Sequence, residues 1–528
     1  MTYSYNLLKE QWLPCLDQQN ELKSFSIVEA LINAHNISGV ESNLPILKGA
    51  LNLFLLAFVW GAFRLQNDNE WENIWNEGKF SEERIRIYAS RWEDRFDLFS
   101  EKYPFYQDPQ FGRRNKDIQN LKKGHRPVPK TISGLLLHLS SGNNATLFDH
   151  TMDDLPATYS LSQAAQLLIM LQSFSLGGMS SASIAKDRYY TDSLFGRGIL
   201  FLNHGLSLFE TLMMNILPVN AGLIDSSEKD QPAWEQDDPF DTDRFSPEGP
   251  MDLLTWQSRR ILLIPHENHL ETGVMNFYVA PGFGVVETYL NPYYQYRLIK
   301  SGSDQSFTPL RFRADYSLWR DSSAILGTKS EKRIPAFPVA WAQYRKVHEI
   351  PGRDPVTLDL YGMCTEPGKK KAYFYAHENF SAPSIYLDNS YLLSRMEEYL
   401  SLAKSVSSAL YLAVRELARF IVAPLHDQEN GRTPGSEDTG PLQQHWNAEY
   451  LFWSRLEPAF FEFLEILPKS EEEAFGKWGQ ALRSAARETL NYAISQVGTD
   501  PAALKASAKA ERTLNYQLHK IFNPSEEE

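Results

Sequence analysis

From Leu393 onward the chain carries an unbroken helical period: Leu393, Met396, Leu400, Ala403, Val406, Leu410, Val414 and Leu417 recur three or four residues apart and line one face. A stripe of that width must be covered, which requires further helices. A second is predicted to carry Trp446, Tyr450, Trp453, Phe460 and Leu464, with Pro458 as the point of a kink or a split. A third opens at Ser470, with Glu473 completing a capping box, and runs through Phe475, Trp478, Leu482, Leu490 and Ile494. The fourth starts at Asp500-Pro501 and turns Leu504, Leu514, Leu518 and Ile521 inward. Four helices with one apolar stripe each predict a C-terminal four-helix bundle over residues 385–528, interrupted by a linker at 427–440.

Residues 1–384 read differently. Apolar helical stretches alternate with Gly-, Asn- and Asp-rich loops up to about residue 220, with no repeat. Short β-rich runs such as Arg260-Ile261-Leu262-Leu263-Ile264 and Ala372-Tyr373-Phe374-Tyr375 follow. The expected class is α+β: a large irregular N-terminal globular domain over residues 1–384, then the bundle. The apolar run at 50–63 is shorter than the roughly 20 residues a membrane span needs, so it predicts a buried helix and no membrane partner. Residues 222–250 hold nine acidic residues against Lys229 and Arg244, with four prolines, and read as a solvated loop.

The net charge of −14 excludes indiscriminate coating of nucleic acid by the whole surface. Two cysteines, Cys15 and Cys364, exclude a disulfide framework and fit a reducing cytoplasm. No phosphate loop, no dinucleotide fingerprint and no nucleophile elbow occurs. His266, Glu267, His269 and Glu271 are candidate metal ligands, but they lack the HExxH spacing and follow Pro265 in a segment that reads as turn-rich, so neither metal nor cofactor is expected.

Three segments suit nucleic acid. Arg113, Arg114, Lys116, Lys122, Lys123, Arg126 and Lys130 face one acidic neighbour, Asp117, and would attract phosphates; an ordinary solvated loop has the same composition. Ser175-Leu176-Gly177-Gly178-Met179-Ser180-Ser181 follows a helix, and paired glycines permit close backbone approach, although a helix cap uses them equally well. Thr365-Glu366-Pro367-Gly368-Lys369-Lys370-Lys371 has the form of a hairpin tip, or of a plain exposed turn.

Together with Asn6-Leu7-Leu8, Trp12-Leu13-Pro14, Phe96-Asp97-Leu98-Phe99, Tyr103-Pro104-Phe105-Tyr106-Gln107, Leu254-Thr255-Trp256-Gln257-Ser258-Arg259-Arg260, Leu318-Trp319-Arg320-Asp321, Trp453 and Leu456-Glu457, these segments resemble the CasA family, large subunit of the type I-E CRISPR surveillance complex Cascade. The resemblance implies a non-catalytic subunit that reads the protospacer-adjacent motif (PAM) in double-stranded DNA from the minor groove, begins unwinding and R-loop formation, and recruits the CRISPR helicase-nuclease for antiviral defence. Its implied partners are CasB, CasC, CasD, CasE and the guide RNA. Carried over by position, the glycine loop is Gly177, Gly178, Met179 and Ser180. The lysine finger is Lys300, preferred to Arg297, and the wedge spans Thr365, Glu366, Pro367, Gly368, Lys369, Lys370 and Lys371. Asn143, Asn144, Leu147, Phe148 and Asp149 resemble a loop that docks near the guide 5′ end, and Arg113, Arg114, Lys122, Lys123 and Arg126 are candidate DNA-phosphate contacts. The candidate tip lacks the glutamine of some relatives. Val285-Val286-Glu287-Thr288-Tyr289 stands where some carry cysteines, so zinc is not expected. Two other classes are weighed against this reading: a stand-alone metal-dependent hydrolase or nuclease built on the His266 cluster, and a purely structural scaffold.

Overall fold

The computed structural model describes residues 3–111, 127–132, 158–179, 183, 189–241, 244–267, 272–282, 284–286, 288–301, 304–365, 372–429 and 434–523. Helix and sheet are mixed, and the chain divides into two compact units: Met1–Phe312 with Thr328–Phe380, and Arg313–Gly327 with Ser381–Glu528.

The first unit is organised around the helix Pro45–Phe63, which starts with proline in its first turn and ends at Arg64 in the left-handed region (φ +39°). It is long and apolar enough to cross a membrane, yet it is buried on nearly every side. Its rings form the centre of an aromatic core: Phe54 meets Trp12, Phe105, Tyr106 and Trp234 edge-on, and Phe58 meets Tyr88 and Phe96. Each such pair adds about 0.5–1.5 kcal/mol beyond area burial. Small antiparallel sheets surround this helix. Strands Arg259–Glu267 and Thr272–Pro281 pair as a hairpin, Tyr296–Ser301 pairs with Asp304–Pro309, and Val356–Thr365 lies between Leu200–Asn203 and Ala372–Ala382.

Residues 222–250 do not form the solvated loop their charge suggests. Trp234 and Phe240 are buried, and Trp234 joins the Phe54 and Phe58 cluster. The acids are used locally: buried Asp230 accepts from the backbone N–H of Met251 and Asp252, while Arg244 pairs with Asp252 and lies over the Trp256 ring. Net charge, averaged over the segment, concealed two apolar anchors.

In the second unit the structure has five long helical spans where the sequence suggests four: Ser390–Glu429, Ser436–Trp446, Ala448–Ile466, Glu471–Ser495 and Pro501–Phe522. Asn447, left-handed at φ +44°, separates the second from the third, so Trp446 and Tyr450 belong to different helices. The helix Ala448–Ile466 runs through Pro458 without splitting. Asp500 caps as expected, accepting from Ala502 and Ala503, whereas the expected capping box at Ser470 is only half made: Ser470 Oγ accepts from Glu473 N–H, and the Glu473 carboxylate pairs with Lys477 instead. Leu504, expected inward, is exposed; Ala503, Ala506 and Ala510 take the buried side, small residues that allow close helix approach. Residues 313–327 were not foreseen here. Trp319 brings them in, stacking on Phe460 at 4.7 Å and touching Trp453 and Trp478.

One polar cluster ties the sheet that leads to residue 365. The buried Asp359 carboxylate accepts from His204 Nδ1 at 2.8 Å, His377 Nε2 at 2.7 Å and Asn379 Nδ2 at 2.6 Å, joining its own strand to the end of one neighbour and the middle of the other. Burial alone would raise its pKa, but the two imidazoles hold it well below the usual carboxylate range. The Asp359 hydrogen bond raises His204, with Glu210 adding to this and burial and Lys48 opposing it. A group raised on folding contributes stability that is present below its unfolded pKa and lost as pH rises through the folded value. His204→Gln is therefore expected to lower the urea midpoint most at about pH 5.5 and progressively less as the pH is raised to about 9. Equal losses at both pH values would show that the charge at His204 contributes nothing.

Candidate nucleic-acid interface

The glycine turn is fixed from its helix side. The helix Leu161–Phe174 opens with a reciprocal capping box between Ser160 and Gln163 and ends at Ser175, whose N–H donates to Ser193 Oγ and whose hydroxyl donates to Leu171 O. Gly178–Met179 then pairs antiparallel with Tyr189–Tyr190. The two glycines are required for different reasons. A Cβ on Gly177 would lie 2.5 Å from Tyr190 O and 2.8 Å from Asp192 N. Gly178 has φ +123°, a conformation that L side chains rarely adopt. Neither glycine caps the helix, which ends at Ser175 in extended backbone with Leu176 following it.

Beneath the turn lies Arg259, buried and with no carboxylate bonded to it among the described residues. Its guanidinium donates to Leu176 O at 3.1 Å and Ser258 O at 2.8 Å and sits 4.8 Å from the Tyr190 ring centre. Burial pushes its pKa down to about 10, partly opposed by Tyr190 and Asp192, so it stays charged at neutral pH. Gln172 secures the Arg259 backbone from both sides, donating to its carbonyl and accepting from its N–H, each at 2.8 Å. On the other flank, Asp192 accepts from Gly177 N–H at 2.6 Å and from Arg197 Nε at 3.0 Å.

Asp192 begins a segment, residues 192–200, that touches the glycine turn, the 296–309 hairpin and the strand that leads to residue 365. Ser193 N–H donates to Ser175 O, joining it to the glycine turn. Ile199 N–H donates to Leu310 O and Arg197 N–H to the Tyr294 hydroxyl, joining it to the 296–309 hairpin. Leu200 pairs with Tyr361, joining it to the strand that ends at Thr365. Side chains are excluded along the way: a Cβ on Gly196 would stand 2.9 Å from Ser175 O, and one on Gly198 3.0 Å from both Pro309 and the Tyr294 ring.

The other expected residues are placed as follows. Lys300 stands in the hairpin opposite Gln305, near the tip, and its side chain lies outside the description. Arg297, opposite Thr308 and Arg333, is exposed. Thr365 is the last residue of its strand; Glu366, Pro367, Gly368, Lys369, Lys370 and Lys371 lie outside the described residues, as does Ser180. So do Asn143, Asn144, Leu147, Phe148, Asp149, Arg113, Arg114, Lys122, Lys123 and Arg126. His266 is in a regular strand opposite Gly273 rather than in a turn, because the hairpin ladder continues past Pro265. Among the described residues no three His, Cys, Asp or Glu side chains converge as metal ligands; His269 and Glu271 lie outside them. Sequence reasoning missed Asp192, Arg197 and Gln172, which carry no motif spacing. Arg259 appeared only within a quoted run.

The arrangement presents a backbone edge stripped of side chains, held rigidly over a buried cation. Such an edge suits close approach to a nucleic-acid groove.

Comparison with known proteins bears on this geometry. Residues 6–489 match the family model for CRISPR-associated protein Cse1. A curated CRISPR-associated protein CasA/Cse1 of Thermus thermophilus is 30% identical over 533 residues, covering 98% of each chain. The crystal structure of Cse1 from Acidimicrobium ferrooxidans superposes with a TM-score of 0.80 at 22% identity, over 99% of both chains. A chain of a solved CRISPR RNA-guided surveillance complex gives 0.73 at 19% identity, covering 97% of this chain and 99% of that one.

Gly177→Ala is expected to force the turn away from Tyr190 and to cost about 1–3 kcal/mol, the usual range for overpacking. A lowered urea midpoint, together with faster amide exchange at Tyr190, checks it. An unchanged midpoint and exchange rate would mean that the turn relaxes freely.

Proposed function

The chain belongs to the CRISPR-associated Cse1 family, and on that premise we propose that it is the large, non-catalytic subunit of a type I-E RNA-guided surveillance complex in the cytoplasm. In this reading it assembles with CasB, CasC, CasD, CasE and guide RNA, the loop at 143–149 docking near the guide 5′ end. The glycine turn approaches the minor groove at the PAM of double-stranded DNA. That groove offers a degenerate hydrogen-bond pattern, which a side-chain-free backbone reads tolerantly. Lys300, with Arg297 as second choice, reaches the same site from the 296–309 hairpin. The tip at 365–371 unstacks the next base pair and starts the R-loop. The basic run at 113–130 holds phosphates, and the C-terminal helices, read as a bundle, form an assembly surface. The bound complex recruits the helicase-nuclease.

The observation that carries the reading is the glycine turn, where crowding at Gly177 and a positive φ at Gly178 leave no room for a side chain on an edge supported by buried Arg259. Gly178→Asp puts a side chain and a negative charge on that edge. The assembled complex carrying it is expected to lose duplex binding by at least about tenfold while keeping its affinity for a matching single strand, which needs no opening. Equal losses on both substrates would overturn the groove assignment.

The wedge is tested separately. With Glu366 to Lys371 replaced by a Gly-Ser turn, R-loop formation should slow on relaxed DNA and recover on negatively supercoiled DNA or on a duplex with a pre-opened bubble beside the PAM. A variant as fast as the parent on relaxed DNA would remove this hairpin from the opening step.

A further inference from the structure

A cleft of about 280 Å³ opens between residues 191–197 and the 296–309 hairpin, on the side of Asp192 away from Gly177. The polar groups of its floor are already committed. The Tyr294 hydroxyl donates to Leu194 O at 2.7 Å and accepts from Arg197 N–H at 3.2 Å, and the Tyr296 hydroxyl accepts from Asn291 N–H. Among the described residues the charged side chains lining it are Asp192, Arg197 and Arg311. Asp192 is shared: one oxygen takes Gly177 N–H and the other takes Arg197 Nε. Among the described residues, half-exposed Arg197 bonds a side chain only through Nε, leaving its terminal nitrogens open, and exposed Arg311 makes no ion pair. Both arginines stand on fixed backbone, because Ile199 N–H donates to Leu310 O and Arg197 N–H is bonded to Tyr294. A concave site with two arginines whose terminal nitrogens make no ion pair among the described residues, in a chain of net charge −14, has the chemistry of an anion subsite.

We propose that this cleft holds one backbone phosphodiester, gripped by Arg311 and the terminal nitrogens of Arg197, and that its phosphate belongs to the DNA strand bordering the groove at the glycine turn. The inference rests on the DNA reading above and adds a phosphate subsite to it. Asp192 makes the two contacts interdependent, since the carboxylate that orients Arg197 toward the phosphate also fixes Gly177.

The test uses the assembled complex with its guide RNA. Target duplexes carry a single neutral methylphosphonate at each linkage flanking the PAM in turn, and they are bound by parent and Arg311→Gln. At one linkage, neutralisation should weaken the parent about tenfold, in line with a hydrogen bond between charged groups. Arg311→Gln should lose part of that factor on unmodified DNA, the rest being held by Arg197, should bind the duplex with that linkage neutral no worse than the parent does, and should lower the salt slope by about one. Arg311 is exposed, so an unchanged urea midpoint accompanies this result. Independent losses at every linkage, or no loss with Arg311→Gln, would overturn the subsite. A variant that binds DNA normally once assembled but joins the RNA-loaded subunits poorly would assign the phosphate to the guide RNA instead and would likewise overturn it. Because Gly178→Asp is scored on duplex against single strand, the subsite can fail while the groove reading stands.

Discussion

Backbone crowding along residues 192–200 sets the glycine turn, the 296–309 hairpin and the strand leading to residue 365 against one another. Gly196 meets Ser175 O, and Gly198 meets Pro309 and Tyr294. Across the sheet, a Cβ on Gly362 would lie 3.0 Å from Phe312 and 3.2 Å from Gly198 O. At such separations one displaced element must displace the next, because packed protein is not compressible. The turn, the hairpin and the strand leading to residue 365 therefore share one reference, although the sequence separates them by up to nearly two hundred residues.

Electrostatics follows the same economy. A chain of net charge −14 can offer positive charge only at chosen points rather than over its surface. Arg259 is one such point, beneath the turn, where desolvation lowers its pKa without removing its charge. At the Asp359 cluster the signs are reversed. There two imidazoles and an amide satisfy a buried carboxylate, so the three strands below residue 365 are tied by hydrogen bonds as well as by their ladders.

What was legible in the sequence was local. The buried helix over 50–63, which in the structure starts earlier, at Pro45, the hairpin strands around 260–264 and 372–375, and the helical character beyond residue 385 all come from periodicities or runs that a chain segment expresses by itself. Trp234 and Phe240 were masked by acidic neighbours, and Trp319 joined the helical unit through contacts about 140 residues distant in sequence. Leu504 was misassigned because a period fixes the spacing of a stripe but not which of two adjacent stripes, leucine or alanine, meets the neighbour. At the interface, the glycine pair was visible as a pair, whereas its supports were not. Asp192, Gln172 and Arg259 act on backbone atoms brought near only by folding, and such contacts leave no spacing in the sequence.

The most direct measurement is a structure of the assembled complex on a duplex containing its PAM. The account predicts the Gly177–Gly178 backbone in van der Waals contact with minor-groove base edges, with the 192–200 segment keeping its bonds to Ser175, Leu310 and Tyr361. DNA held on another face of the chain, with the glycine turn left in solvent, would contradict it.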